Sequence, residues 1–486
     1  MRLALLVTLL LLCGPALAAP QIVFRTGHTH GVFRFVEAIT GGRQASSILA
    51  DRFRGSRYDT PRLRALADTY RRIREQHCGH SYRFNGYPSA RQEMGWDIHQ
   101  ALNLQSALAR DLDDLAGRTA QLLPPAEHRQ LLEILRAFEP AYDALVWRPS
   151  RAKLERYRRR LAAMARKARL GQLFDRVARF YRSHWPDSVP LTVVLHPIPA
   201  ARGHTTAYVI ANVAPVEALL DEKDLAGRLA VVFHELCHAL YESQPGEVQQ
   251  ELHKAFSAHR SPYAGQAYTL LNEALATALG NGWSYKQITG RLDPDRWYND
   301  PQIDGYAHAI YPRLTAYLEA GRPLDRAFFA QAVAAYRERF PDAIYTLDNL
   351  LKEVFVAAEG KLLPVSAIGH AVRRHFRVPS MYRQSPLAHP QTVRSLGRLE
   401  RQTAVLLVFF PGEEQQLARL VRRVPALARR LPELRRRKGA WICSLLDGDH
   451  RPWILMRLTR SDQLEPAVAA LKRQGQIRAD RPFLAL

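Results

Sequence analysis

A chain of 486 residues, 47% hydrophobic and 24% charged, has room for two or three domains with cores of their own and excludes an intrinsically disordered polymer. Four cysteines, one of them Cys13 near the start, are too few for a fold stapled by disulfides. The formal net charge of +23 excludes an acidic protein, and residues 365–486 alone hold 23 Lys and Arg against 9 Asp and Glu.

The first eighteen residues, MRLALLVTLLLLCGPALA, carry one early charge at Arg2, an apolar run from Leu3 to Leu12 and a small-residue end at Ala16-Leu17-Ala18. That pattern reads as a secretory signal cut after Ala18, so the mature chain is expected to be exported. Its apolar run is too short to span a bilayer, and no later segment is long and apolar enough to do so.

Residues 19–185 read as a helical region. Apolar positions recur three and four apart over residues 90–123 and again from Pro125 to Leu145. A third long helix, basic on its outer face, is expected over residues 151–185. The texture then changes. LTVVLH (191–196) and TTAYVIAN (205–212) read as two strands joined in hairpin fashion by PIPAARGH. A helix follows from about Asp224 to Glu242, stopped by Pro245-Gly246. Further helices are expected from Tyr268 to Leu279, stopped by Gly280-Asn281-Gly282, then at Gly305–Ala320, Asp325–Arg339 and Tyr345–Ala358. Residues 361–401 show little periodicity and read as a linker. The remainder, 402–486, reads βαββαβ, the order of a ferredoxin-like sandwich, and is basic enough to draw a polyanionic partner.

The chemistry concentrates in VVFHELCHALYE, residues 231–242. At 3.6 residues per turn, His234 and His238 share one helix face and can converge on one cation. Glu235 lies about 100° round from His234, poorly placed to ligate and well placed to touch a water on the ion. The rest of the helix is apolar nearly all round, so three polar side chains there are costly without a cation or hydrogen-bond partners. A third histidine at the HExxHxxGxxH spacing is absent, because Gln244 stands there. Glu273 in LLNEALATALGNG is the alternative ligand, an acid on an otherwise apolar helix that needs a counter-charge.

HELCH followed by Leu271-Asn272-Glu273-Ala274-Leu275-Ala276 resembles the gluzincins, zinc metallopeptidases whose third ligand is a downstream glutamate. The resemblance covers about residues 190–320 and rests on few positions. It implies one Zn2+ held by His234, His238 and Glu273, with Glu235 as general base in the hydrolysis of peptide bonds. It implies an oxyanion-stabilising Tyr or His on a downstream helix, for which Tyr306 and His308 in DGYAHAIYP are the candidates. It also places an edge strand before the zinc helix, here TTAYVIAN, for a peptide or protein substrate to pair with. Two departures stand out. The spacing from His238 to Glu273 requires an extra helix or loop over Gln249–Arg260. Thr277 stands where an acidic residue often orients one of the histidines. The expected class is therefore α+β. It has a mostly helical zincin-like metallopeptidase core over 186–360 with a small antiparallel or mixed sheet. The C-terminal α/β module of ferredoxin-like order follows.

Weaker clusters remain. His28-Thr29-His30 and His77-Cys78-Gly79-His80 offer ligand-type side chains without a second pair, and His196 and His204 flank the expected hairpin. A different class of function is a zincin-fold binding protein that keeps the metal and docks a polyanion through its basic module. The intact Glu235 favours the enzyme.

Overall fold

The computed structural model describes residues 20–42, 45–77, 82, 96–200, 203, 205–399, 403–422, 425–478 and 480–486. The expected signal at 1–18 lies outside them, as do Cys78, His80 and His204. The chain is mostly helical with two sheets. It divides into two compact units, one of Met1–His253 with Leu271–Phe329 and one of Lys254–Leu270 with Ala330–Leu486. Among the described residues, no helix is long and apolar enough to cross a membrane.

The first unit opens with β1 (Ile22–Thr26) and α1 (His28–Ile39). Next come α2 (Ser47–Phe53), α3 (Pro61–Gln76), α4 (Ile98–Leu108), α5 (Leu112–Thr119) and α6 (Pro125–Tyr142). Side-chain caps fix several starts. Thr60 accepts from the Leu63 amide ahead of Pro61, and Asp97 and Gln100 form a reciprocal capping box. Phe33, Phe35, Phe53, Phe138 and Tyr142 bring α1, α2 and α6 together in one aromatic core.

The long basic helix is two helices, α7 (Arg148–Lys167) and α8 (Leu170–Tyr181). They part at Arg169, which adopts a left-handed φ of 51°. Glycine is the usual marker of such a break, and none stands there to announce it.

The sheet of this unit corrects the expected hairpin. β2 (Leu191–Ile198) pairs in parallel with β1 on one side and with β3 (Val213–Leu219) on the other. Residues 205–212 are not a strand. They make isolated antiparallel bridges, Ala207 to Val216 and Ile210 to Val213, along the far side of β3. Pro215 and Glu217 hid β3 in the sequence: proline cannot donate to a ladder, and the acid breaks an apolar run. Here Glu217 is wholly buried and its carboxylate accepts the backbone N–H of Ser46 and of Thr206. Because β1 joins this sheet, no unit boundary falls at the expected division between residues 185 and 186.

After β3 comes α9 (Leu225–Glu242), whose start is fixed by the Asp224 side chain accepting from the Gly227 amide. Leu229, Val232, Phe233, Leu236 and Leu240 of α9 are all fully buried. Then follow α10 (Gly246–Ser257) and α11 (Ala264–Thr277). The expected stop at Gly280-Asn281-Gly282 is not a stop. The helix continues through π-helical turns at Ala278–Ser284 into α12 (Tyr285–Thr289). Gly280 is there for proximity: a Cβ on it would lie 2.6 Å from His234 Cβ and 2.8 Å from the Ala230 carbonyl. The unit closes with α13 (Pro301–Glu319), capped by Asp300, and the start of α14 (Arg326–Arg339).

The second unit also differs from expectation. Residues 345–358 form a one-turn α15 (Leu347–Leu350) and then β4 (Glu353–Ala358). Leu347, Leu350, Leu351 and Val354 happen to fall at helical spacing, which masked the strand. The expected linker at 361–401 holds α16 (Val365–His375), β5 (Ser380–Gln384) and α17 (Pro390–Leu396). Beyond it lie β6 (Ala404–Phe409), α18 (Glu414–Val421), α19 (Pro425–Arg436), β7 (Trp441–Leu446), β8 (Pro452–Arg457), α20 (Leu464–Gln474) and β9 (Phe483–Ala485).

The strand order is β5-β4-β6-β8-β7-β9. In a ferredoxin-like sandwich the last strand would flank the first of the four. Here β4 takes that side of β6 and β9 pairs with β7 instead. The pairs β4–β5, β4–β6 and β6–β8 are parallel. Val354 and Val356 face one apolar core while Phe355 and Ala357 face the other, so both faces of the sheet are covered.

Replacing Gly280 by Ala tests the close approach. On a free helix face this change stabilises by up to about 1 kcal/mol. Against His234 it is expected to destabilise by about 1–3 kcal/mol, read as a lower midpoint in chemical denaturation.

Candidate metal centre

Helix α9 presents His234 and His238 on the side that meets α11 and the π-helical turns. The two Nε2 atoms are 3.1 Å apart, and the rings meet edge to face. Glu273, on α11, places Oε2 3.6 Å from Nε2 of each histidine. That oxygen is buried and has no hydrogen-bond partner among the described residues. The Glu273 side chain as a whole is 39% exposed, so the cluster has an open side. His234, His238 and Glu273 form the group of ligand-type side chains, among the described residues, that lies close enough to hold a metal ion.

The electrostatics fit three donors around a cation. Burial would raise the Glu273 carboxyl, but the two imidazoles outweigh it and hold the acid well below the usual carboxylate range. Burial would depress His238, but the Glu273 and Glu235 carboxylates outweigh it and push the imidazole up to about 9. Glu235 follows His234 in the chain and is 9% exposed. Burial pushes its carboxyl up, with the two histidines opposing. Cys237 is a buried thiol that burial pushes well above its ordinary range, a packing residue rather than a thiolate ligand.

The residue that orients His238 was not singled out in the sequence, although it precedes Glu273. Asn272 Oδ1 lies 3.1 Å from His238 Nδ1 and accepts its proton, which leaves the Nε2 lone pair for the cation side. Thr277, one turn beyond Glu273, is fully buried, and its hydroxyl has no partner among the described residues.

A second residue missed in the sequence is Tyr298, whose ring stacks on His234 at 5.9 Å between centroids and 19° between planes. No periodicity marks it, because it sits in an irregular loop. The loop is firmly held. The backbone N–H groups of Trp297 and Tyr298 both donate to Asp304 Oδ1. The Trp297 ring stacks on His308 at 3.8 Å and meets Tyr311 edge-on at 5.2 Å. Gly282 admits it, since a Cβ there would lie 2.8 Å from the indole.

His308 is thus an exposed residue engaged with Trp297 and with the Asp304 carbonyl, 2.9 Å from its Nδ1. Tyr306 is fully buried on α13. Of the six positions read from the sequence, the structure clusters His234, His238 and Glu273, sets Glu235 beside them, and engages His308 with Trp297 and Asp304. Among the weaker candidates, His28 binds Asp143 at 2.7 Å and His77 pairs with Glu127.

Two outcomes are expected. Replacing Asn272 by Ala should weaken divalent-metal binding about 10–100-fold in a competition titration with a chromogenic chelator, with the fold intact by circular dichroism. The second concerns pH. The His238 pKa is raised above its unfolded value of about 6.5, so its contribution to stability is complete below that pH and fades as pH climbs through about 9. Denaturant midpoints of the metal-free protein should fall across that window. Metal affinity should rise over the same window by about tenfold per pH unit, because the ion displaces the His238 proton. Comparison of the chain with protein-family models, curated proteins and solved structures finds no match.

Proposed function

We propose that the chain is an exported zinc metallopeptidase of gluzincin type, with a zincin-like core around α9 and α11. One observation carries the reading. The donor triangle has sides of 3.1, 3.6 and 3.6 Å. Tetrahedral zinc with bonds of about 2.0–2.2 Å sets its ligands about 3.3–3.6 Å apart. Two neutral-imidazole nitrogens and one carboxylate oxygen are also the donor set that suits a catalytic zinc with one position left open.

Zinc, when bound, lowers the pKa of a water to about 7 and polarises the scissile carbonyl. Glu235 takes the proton from the attacking water and passes it to the leaving amine nitrogen. Its raised carboxyl is suited to both halves of that transfer. Asn272 holds the His238 ring and its tautomer, and the exposed flank of Glu273 marks the side from which a peptide enters. Residues 206–210, outermost beside β3, offer the backbone along which an extended substrate can lie. Tyr298, whose ring stacks on the ligand His234, is our choice for the group beside the reacting carbonyl, with Tyr306 and His308 as the alternatives. The basic residues of 365–486 serve contact with a polyanion at the site of action.

Replacing Glu235 by Gln tests the assignment. The variant should retain one zinc per chain by elemental analysis and lose about 10²–10⁴-fold in the rate of peptide hydrolysis. Equal activity in the two proteins would remove Glu235 from the mechanism. Full zinc with no hydrolysis in either would leave a metal-holding binding protein.

A further inference from the structure

Helix α7 carries a charged face that neither the sheet nor the metal centre uses. Its inward side is set by Ser150, Leu154, Tyr157, Leu161 and Ala165, all buried. At about 100° per residue, the opposite face holds Arg156, Arg159, Arg160, Arg166 and Lys167, all exposed. The other positions of that sector are Arg148, Ala152 and Ala163. No acid and no large apolar side chain interrupts it.

These charges are not spent inside the protein. The ion pairs of α7 belong to its first turns and its flanks: Arg148 with Asp143, Lys153 with Asp221, and Arg158 with Glu155. Glu155 is the one acid in the sequence of the helix, and three hydrogen bonds from Arg158 already hold it. Among the described residues, none of the five outward cations forms an ion pair. Abundant arginine does not by itself produce such a face. On α3, Arg64, Arg71 and Arg74 each meet an acid, Asp59, Asp68 and Glu37. Arg166 and Lys167 complement the helix dipole at its C-terminus. Arg156, Arg159 and Arg160 lie mid-helix and gain nothing from it. At spacings of three and four, Arg156 repels both of the others, which weakens the helix unless an external anion answers the charge.

The composition of the face says which anion. Four of the five cations are arginine, whose planar fork meets phosphate oxygens two at a time. The face carries no aromatic ring on which a base could stack. It also lacks the Trp, Phe or Leu with which an interfacial helix sinks into acyl chains, since the apolar stripe of α7 is committed to the core. From Arg156 to Lys167 the ridge runs about 16 Å along one uninterrupted helix. With its inner side packed, α7 offers a line of charge to a flat surface rather than a rod to a groove.

We propose that this face of α7 adsorbs the protein on a membrane surface bearing anionic phospholipid head groups. The contact is of guanidinium and ammonium with phosphate and does not enter the hydrocarbon. The face belongs to the unit that holds the candidate metal centre and shares no side chain with that centre or with the basic residues of 365–486.

Co-sedimentation of the whole protein with vesicles tests this, with equimolar phosphatidylglycerol and phosphatidylcholine set beside phosphatidylcholine alone. The protein should bind the anionic vesicles at low ionic strength and come off as salt shortens the screening length. The triple variant R156Q/R159Q/R160Q should bind about 100-fold more weakly, about fivefold for each charge removed. Glutamine keeps the helix propensity and removes the repulsion, so the melting temperature of this variant should equal or exceed that of the parent. The variant R435Q/R436Q/K438Q takes the same charge from the other unit and should lose far less. No binding above the phosphatidylcholine control, equal losses in the two variants, or a loss in the second alone would overturn the proposal. So would tighter binding to duplex DNA that R156Q/R159Q/R160Q abolishes, which would assign the ridge to nucleic acid.

Discussion

The centre of this protein is held by one electrostatic constraint: a carboxylate and two imidazoles converging between helices that are otherwise hydrocarbon. An acid at Glu273 with a buried oxygen that has no hydrogen-bond partner among the described residues is tolerable only if positive charge stands in front of it. The surrounding packing serves that need. Gly280 lets the second helix come against His234, Asn272 fixes the His238 ring, and Tyr298 covers the His234 ring. A small loss of fit at any of these contacts would be felt as an uncompensated charge, not as a missing van der Waals contact.

The N-terminal region is not a shell around a separate core. Its first strand is part of the parallel sheet through β2, and β2 carries His196 while β3 leads into the metal-centre helix. The buried polar side chains of α1 and β2 therefore lie in the same fold that carries the candidate metal ligands. Removing that region as a pro-segment would take a strand from the sheet.

The candidate metal centre was legible in the sequence because polar residues on apolar helices stand out. His234, Glu235, His238 and Glu273 interrupt runs of Leu, Val and Ala, and Asp224 announces the start of their helix. What escaped was whatever depends on contacts distant in sequence. Pro215 and Glu217 disguised β3, whose burial on both faces comes from neighbours that no local window contains. Helical spacing of four leucine and valine positions disguised β4. Gly280 looked like a helix terminator, although its purpose is proximity to another helix. Tyr298 had no signal at all, because its partner is a ring on a distant helix. Two expectations for the C-terminal residues, the linker at 361–401 and the ferredoxin-like order, fail together: with β4 and β5 unrecognised, the remaining strands have only one familiar arrangement left.

The π-helical turns at Ala278–Ser284 have a consequence for what the chain can tolerate in length. Their wider turns close hydrogen bonds five residues apart, as the Tyr285 amide does to Gly280, where an ordinary turn closes them four apart. Deleting one residue there would let the stretch rewind into ordinary turns, and everything after it would turn and shift along the axis. Trp283 would leave Phe233, 6.2 Å from it between ring centroids, and the loop that carries Tyr298 would be re-aimed. Most connections in a protein absorb a single-codon deletion. This one, which begins five residues after Glu273 and forty after His238, would transmit it to the centre.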